Sequence, residues 1–258
     1  MRYFTFNGID SRDLFPLTNS ITRPYLPPVT VPSFSIPNKA GAVAIQRNEV
    51  GIREIEVEVT FMMDSWEDVR QRVRDMASFL IYSEDKPLIF SDEPNLQYYA
   101  RFNTSDTDLE EVAKMGRGTL KFTCFDPYAY ELDESQFIMP TLTIEDSVFN
   151  NGTVEAFPRF RIAPTMDAQY LKITNVTTNE FMYYNFPVLT GNALIFDHSK
   201  NQVFDEATEE NLIRNITLDS RFFSLVPGEN VILIQNHNSD GSGVNQQSLQ
   251  VYWRERFY

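Results

Sequence analysis

Across 258 residues, only one stretch repeats apolar side chains strongly at helical spacing. In "DSWEDVRQRVRDMASFLIY", Trp66, Val69, Val73, Met76, Ala77 and Leu80 fall on one stripe, which predicts a helix over 65–82. Asp64 or Ser65 can cap its first turn, with Glu67 or Asp68 three residues on completing a capping box. A stripe of this kind is read as packing against a sheet rather than as a cofactor box. Everything else in the chain must be strand and turn, so the expected fold is mainly β with one main helix. Twenty-one Phe and twelve Tyr against ten Gly fit that expectation, because aromatic rings suit a pleated, half-buried surface.

The strand grammar falls into two halves. "YLPPVTVPSFSIP" (25–37) holds four prolines, each without a ladder donor, and reads as an extended arm or edge segment. In "IREIEVEVTF", Ile55, Val57, Val59 and Phe61 alternate with Glu54, Glu56, Glu58 and Thr60, giving one buried face and one wet face. After the helix, Leu88–Phe90 and Leu96–Phe102 read as a hairpin turned by "SDEPN". An acidic stretch at 106–111 follows, and "GRGTLKFTCFDPYAYE" gives another strand that halts at Asp126-Pro127. From about residue 137 the segments "FPRFRIAP", "QYLKITNVT", "EFMYYNF", "NALIFDH", "NQVFD", "NITLD", "ENVILIQ" and "LQVYWRERF" are short strand candidates between turns. Regular short strands of this kind predict a β-sandwich. The expected division is a first domain of strands plus the helix, 1–136, and a second domain, 137–258, opened by the turn at Asn150-Asn151-Gly152.

A formal charge of −14, from 36 acidic and 22 basic residues, argues against gripping a phosphate backbone, which needs clustered Lys and Arg. The densest basic run, Arg70, Arg72 and Arg74, divides between helix faces and reads as a solvated flank. "MRYFTFNGIDSRD" has no apolar core of signal-peptide length, and no stretch approaches the roughly 18 apolar residues of a membrane span. Four tripeptides fit the glycosylation pattern, at Asn103, Asn151, Asn175 and Asn215, but they are read as turn chemistry. The lone Cys124 excludes an internal disulfide.

No catalytic constellation is expected. Asp197-His198-Ser199 has the residue types of a triad, yet neighbours on a strand face opposite sides, and His198 reads as a turn or surface residue. His237 in "NHNSDGSG" reads as a loop residue, and two separated histidines make a poor zinc site. Gly116 and Gly118 precede a strand rather than a helix, so they do not form a phosphate loop. Cys124, between aromatic neighbours, reads as a buried structural thiol, and Trp253 as core rather than a sugar platform. Catalytic, cofactor-binding and metal residues are therefore expected to be none.

The ordered pattern resembles the distal tail proteins of bacteriophages with long, non-contractile tails. It is carried by "FTFNGIDSRD", the Pro-rich arm, the alternating strand into "WEDVRQRVRDMASFL", and "PLIFSDEPNLQYYARF". Later pieces are "NNGTVEAFPRFRI", "LTGNALIFDHSKNQVF" and "FFSLVPGENVILI". The resemblance implies a first domain that closes into a six-membered ring and a galectin-like β-sandwich as the second. It implies a hub at the tail tip, between the tail tube protein and the tail-associated lysin or spike, with receptor-binding proteins as further partners. DNA would pass through the channel without specific binding, and no membrane would be entered. Two other readings stay open: a carbohydrate-binding β-sandwich module, and an acidic glycosidase whose paired carboxylates the sequence cannot locate.

Overall fold

The structure is a computed structural model that describes residues 3–13, 17–45, 48–62, 66–112, 115–140, 143–237 and 247–258. The chain divides into two compact units, Met1–Leu132 with Tyr258, and Asp133–Phe257.

The first unit is built on one sheet. Its strands are β1 (Phe4–Phe6), β2 (Ile9–Asp10), β3 (Leu17–Thr22), β8 (Arg53–Met62), β9 (Lys86–Phe90), β10 (Glu93–Val112) and β11 (Met115–Cys124). Four short strands between β3 and β8 form the arm: β4 (Val29–Thr30), β5 (Ser33–Ser35), β6 (Ala42–Ala44) and β7 (Glu49–Val50). The sheet order is β2-β1-β9-β10-β11-β8-β3, with β12 (Ala129–Glu131) beside β10. Chain reversal from β1 to β2 is set by Asn7 and Gly8, both at positive φ (50° and 80°), the geometry that matches hairpin twist.

The period-two pattern of β8 is realised directly. Ile55, Val57 and Val59 are buried, while Glu54 is exposed and Glu56 and Glu58 are half-buried. Arg53 continues the inward face and is 1% exposed, its guanidinium 5.2 Å from the Tyr98 ring.

Helix α1 runs Trp66–Leu80; the expected capping residues Asp64 and Ser65 lie outside the described residues. Met76, Phe79 and Leu80 are buried, but Ala77 is exposed. At about 100° per residue Ala77 points away from Met76, and Phe79 takes its place on the inner face. The Phe79 ring meets Phe6 edge-on at 5.9 Å, and Phe6 meets Phe122 at 5.1 Å, tying helix to sheet. Each fully buried Phe contributes about 1.5–3 kcal/mol relative to exposure. The acidic stretch 106–111 continues the backbone of β10, with 108–111 pairing with β11 after a register shift between Asn103 and Asp108.

The second unit is a β-sandwich. Its strands are β13 (Ser135–Met139), β14 (Glu145–Asn150), β15 (Arg159–Pro164), β16 (Tyr170–Asn175), β17 (Glu180–Tyr184), β18 (Leu194–Asp197), β19 (Gln202–Asp205), β20 (Gly228–His237) and β21 (Gln247–Trp253). One sheet has the order β13-β21-β15-β18-β19 and the other β14-β20-β16-β17. Strict alternation of burial along β15, β16 and β21 turns one face of each sheet inward. Phe160, Ile162, Leu171, Ile173, Phe196, Ile232, Ile234, Val251 and Trp253 fill the space between.

Three sequence expectations need correction here. "NITLD" is not a strand: Ile213–Asn215 is a 3-10 turn and Ile216 makes a single bridge to Tyr184. His237 is not a loop residue; its backbone closes β20 opposite Tyr170. The Asn150-Asn151-Gly152 turn does not open the second unit, because β13 and β14 precede it. It is a packed corner. Asn150 Nδ2 donates to the carbonyls of Val154 and Leu225 at 3.0 and 2.9 Å, and its Oδ1 accepts from Gly152 N at 2.9 Å. A Cβ on Gly152 would sit 2.5 Å from the Arg256 carbonyl oxygen, so only glycine fits.

Candidate functional site

The residues screened for chemistry do not converge. Asp197 Oδ1 accepts from Ser199 N (3.0 Å), Ser199 Oγ (2.6 Å) and Lys200 N (3.1 Å), so these groups tie the β18–β19 turn. His198 turns the other way. It is not a surface residue but 2% exposed, with ring centroids of Phe223, Phe160 and Phe222 at 4.3, 5.2 and 5.4 Å. Its Nδ1 lies 2.9 Å from Phe223 N and 2.8 Å from Phe223 O, and its Nε2 has no partner among the described residues. Burial pushes its pKa down to about 4, opposed by the Phe223 backbone contact and by Asp197, so the ring is neutral at pH 7. A general base needs a nitrogen within reach of the nucleophile; here Nδ1 is committed to the Phe223 backbone, and Nε2 is buried with no hydroxyl or thiol in hydrogen-bond reach among the described residues.

Cys124 is buried and its thiol is pushed up to about 12, mainly by desolvation. Gly116 and Gly118 pair within β11 opposite Phe61 and Val59 of β8. Among the described residues no three His, Cys, Asp or Glu side chains gather as a metal site, and no described helix is long and apolar enough to cross a membrane. Three of the glycosylation-pattern amides are engaged internally: Asn175 with Ser224 O and Asn230, Asn151 with Glu255, and Asn215 with the Tyr184 hydroxyl.

The surface that calls for a partner is the arm. β4 pairs with β7 (Val29 opposite Val50) and β5 with β6 (Phe34 opposite Val43), so the described residues 28–45 and 48–51 form a two-stranded ribbon. Pro28 and Pro32 carbonyls accept from Gly51 N (2.7 Å) and Ile45 N (2.8 Å), which lets prolines sit in the ribbon without a missing donor. The return half, 42–50, is invisible to propensity. Its signal is "IPNKAG", where Asn38 and Gly41 adopt positive φ of 66° and 84° to turn the chain. Tyr25 is 97% and Leu26 68% exposed, and Val29, Val31, Phe34, Ile36 and Ile45 are exposed as well. A two-stranded ribbon has no second layer on which to bury them, and is marginal in water by itself.

A second surface is the outer face of the first sheet. Glu54, Glu56 and Glu58 line up opposite Thr123, Lys121 and Thr119 of β11, and Thr22 and Ser20 of β3 face Glu56 and Glu58. Lys121 Nζ stands 3.3 Å from Glu56. The face is polar and predominantly acidic, the wet side of the alternation.

Comparison with known proteins places these units. Residues 10–124 match a phage tail protein RIFT-related domain, and residues 151–257 match the C-terminal domain of a siphovirus-type tail component. The distal tail protein of Bacillus phage SPP1 is 26% identical over 185 residues, covering 70% of this chain and 71% of that one. The crystal structure of the SPP1 Dit protein superposes with a TM-score of 0.85 at 18% identity, covering 100% of both chains. With a phage tail-protein domain matched in each unit, the chain belongs to the siphovirus distal tail protein family and is a structural component of the phage tail.

Proposed function

We propose that six copies of this chain close into a ring at the tail tip through their first units. The ring is a hub that joins the tail tube to the tail-associated lysin or spike and to the host-adsorption apparatus. The observation that carries this reading is the arm, whose apolar side chains have no place to be buried on their own ribbon. In a closed ring each arm lies against the next copy, and every copy gives and receives one such contact. The likeness to SPP1 Dit, described as a paradigm of the hub adsorption apparatus in phages infecting Gram-positive bacteria, supports the same role.

The channel through such a ring passes DNA and must not hold it. Walls formed by the first unit that are acidic or neutral, as the Glu54, Glu56 and Glu58 face is, repel phosphate and let the duplex slide. The chain makes and breaks no covalent bond in this reading; the neutral, buried His198 and the turn-bound Asp197 and Ser199 support that. Division of labour follows the two units: the first forms the ring, and the sandwich offers outward surface to receptor-binding proteins. Synthesis and assembly take place in the cytoplasm of the bacterial host.

The test is a triple substitution, Val29→Ser, Val31→Ser and Phe34→Ser, in the full chain. The expected result is loss of rings in tail-tip assembly mixtures, by negative-stain microscopy, with the monomer still folding cooperatively. Rings at wild-type yield would remove the arm from the interface.

A further inference from the structure

An open groove of about 340 Å³ lies on the second unit beside the β18–β19 hairpin, lined by Lys200, Gln202, Val203, Phe204, Glu209 and Asn211. Two chain segments make it. The hairpin presents Lys200, Gln202 and Phe204, and the loop after β19 returns alongside, with Asn211 bridged to Phe204 and Leu212 N donating to Val203 O at 2.7 Å.

That loop is built at a cost. Asp205 Oδ1 accepts from Ala207 N (2.9 Å), Thr208 N (2.9 Å) and Thr208 Oγ1 (3.1 Å), and Glu209 N donates to Asp205 O at 2.9 Å. The outcome is a glutamate at φ 56°, the left-handed region that a glycine would occupy more cheaply. Strain of this kind, on the order of 1–3 kcal/mol, persists where surrounding bonds impose it and concentrates at ligand clamps. Its product is a carboxylate at the groove wall. Among the described residues, neither the Glu209 carboxylate nor the Gln202 amide has a hydrogen bond or ion pair. Asn211 spends its Oδ1 on Ile213 N (3.0 Å), which leaves its amide donor for a guest.

The chemistry selects the guest. A half-exposed aromatic ring offers a stacking surface for an apolar C–H face. Two amides, one ammonium and one carboxylate supply donors and acceptors together, the pairing that vicinal hydroxyls require. Within the groove the Lys200 ammonium, which stands 3.8 Å from Asp197, and the Glu209 carboxylate carry opposite charges. The surrounding unit carries 8 Lys/Arg against 16 Asp/Glu, a net charge of −8, so a polyanion is repelled at long range. The volume sits near the lower end of the roughly 300–1,000 Å³ typical of small-ligand sites.

We propose that this groove binds a neutral saccharide, the Phe204 ring stacking on one sugar face while Gln202, Asn211, Lys200 and Glu209 bond its hydroxyls. This inference goes beyond the hub reading and does not rest on ring formation.

The experiment is saturation-transfer NMR and calorimetry on the full chain. The probes are an N-acetylglucosamine tetrasaccharide, cellotetraose and, as the polyanion, polyglycerol phosphate. At least one neutral tetrasaccharide is expected to bind. Phe204→Ala and Glu209→Gly should each weaken it by at least about tenfold, the effect of losing about 1.4 kcal/mol. Glu209→Gly should at the same time raise the melting temperature, because it releases the left-handed strain; this separates a lost ligand contact from a damaged fold. Failure of both neutral probes, binding of the polyanion alone, or undiminished binding by Glu209→Gly would each overturn the proposal.

Discussion

Acidifying the protein should unlock the second unit through one residue, His198. In the folded chain its pKa is pushed down to about 4 by burial among Phe160, Phe222 and Phe223, whereas the unfolded side chain titrates near 6.5. Between those values the unfolded state holds a proton that the folded state refuses. The stabilisation is therefore complete above about pH 6.5 and is lost as pH falls towards 4. Integrating the two titrations gives a loss of about 2 kcal/mol between pH 7 and pH 5, and about 3 kcal/mol once both forms are protonated. The assay is urea unfolding followed by Trp253 fluorescence in a Trp66→Phe background, since the chain has two tryptophans. His198→Asn is the comparison. An Asn Oδ1 can still accept from Phe223 N–H, so this variant should be weaker by a constant amount but lack the pH-dependent part. The difference between the two proteins should shrink by about 2 kcal/mol from pH 7 to 5. Parallel stability curves over that range would refute the idea that a neutral, desolvated imidazole is part of this core.

Three further outcomes are expected. Gly152→Ala should destabilise the second unit by roughly 2–4 kcal/mol in the same urea assay, because backbone must move to clear a 2.5 Å approach to the Arg256 carbonyl. Cys124, with its thiol pushed up to about 12, should stay unreactive to a chromogenic disulfide reagent at pH 8 in the folded chain, and react once urea unfolds it. The serine-substituted arm should lower stability only modestly by calorimetry, by roughly 1–3 kcal/mol for the three together, since about half of each side chain is already exposed.

Where one face of a strand is wet, the fold was legible in the residues. Glu54, Glu56 and Glu58 against Ile55, Val57 and Val59, and Arg159 and Arg161 against Phe160 and Ile162, state their own orientation. Legibility failed where pairing is decided by the backbone of a distant segment. Residues 106–111 read only as an acidic stretch, yet β11 supplies a ladder for 108–111. "NITLD" looks like a strand, yet it finds only one bridge, and Leu218 is left fully exposed. His198 was misplaced for a different reason: the 222–223 segment that covers it is 25 residues away in sequence. The arm was half visible, because prolines announce an edge but nothing in 42–50 announces the strand that returns along it. The groove could not be foreseen, since Lys200 and Asn211 come together only after Asp205 has fixed the loop between them.

In the proposed hub, six chains close a ring through their first units and none contributes chemistry. Cryo-electron microscopy of the tail tip in intact virions tests it most directly. The expected map holds six copies, with first units joined in a ring, each arm covered by the neighbouring copy, and an open channel along the axis. A single copy per tail tip, or six copies whose arms all point into solvent, would contradict it.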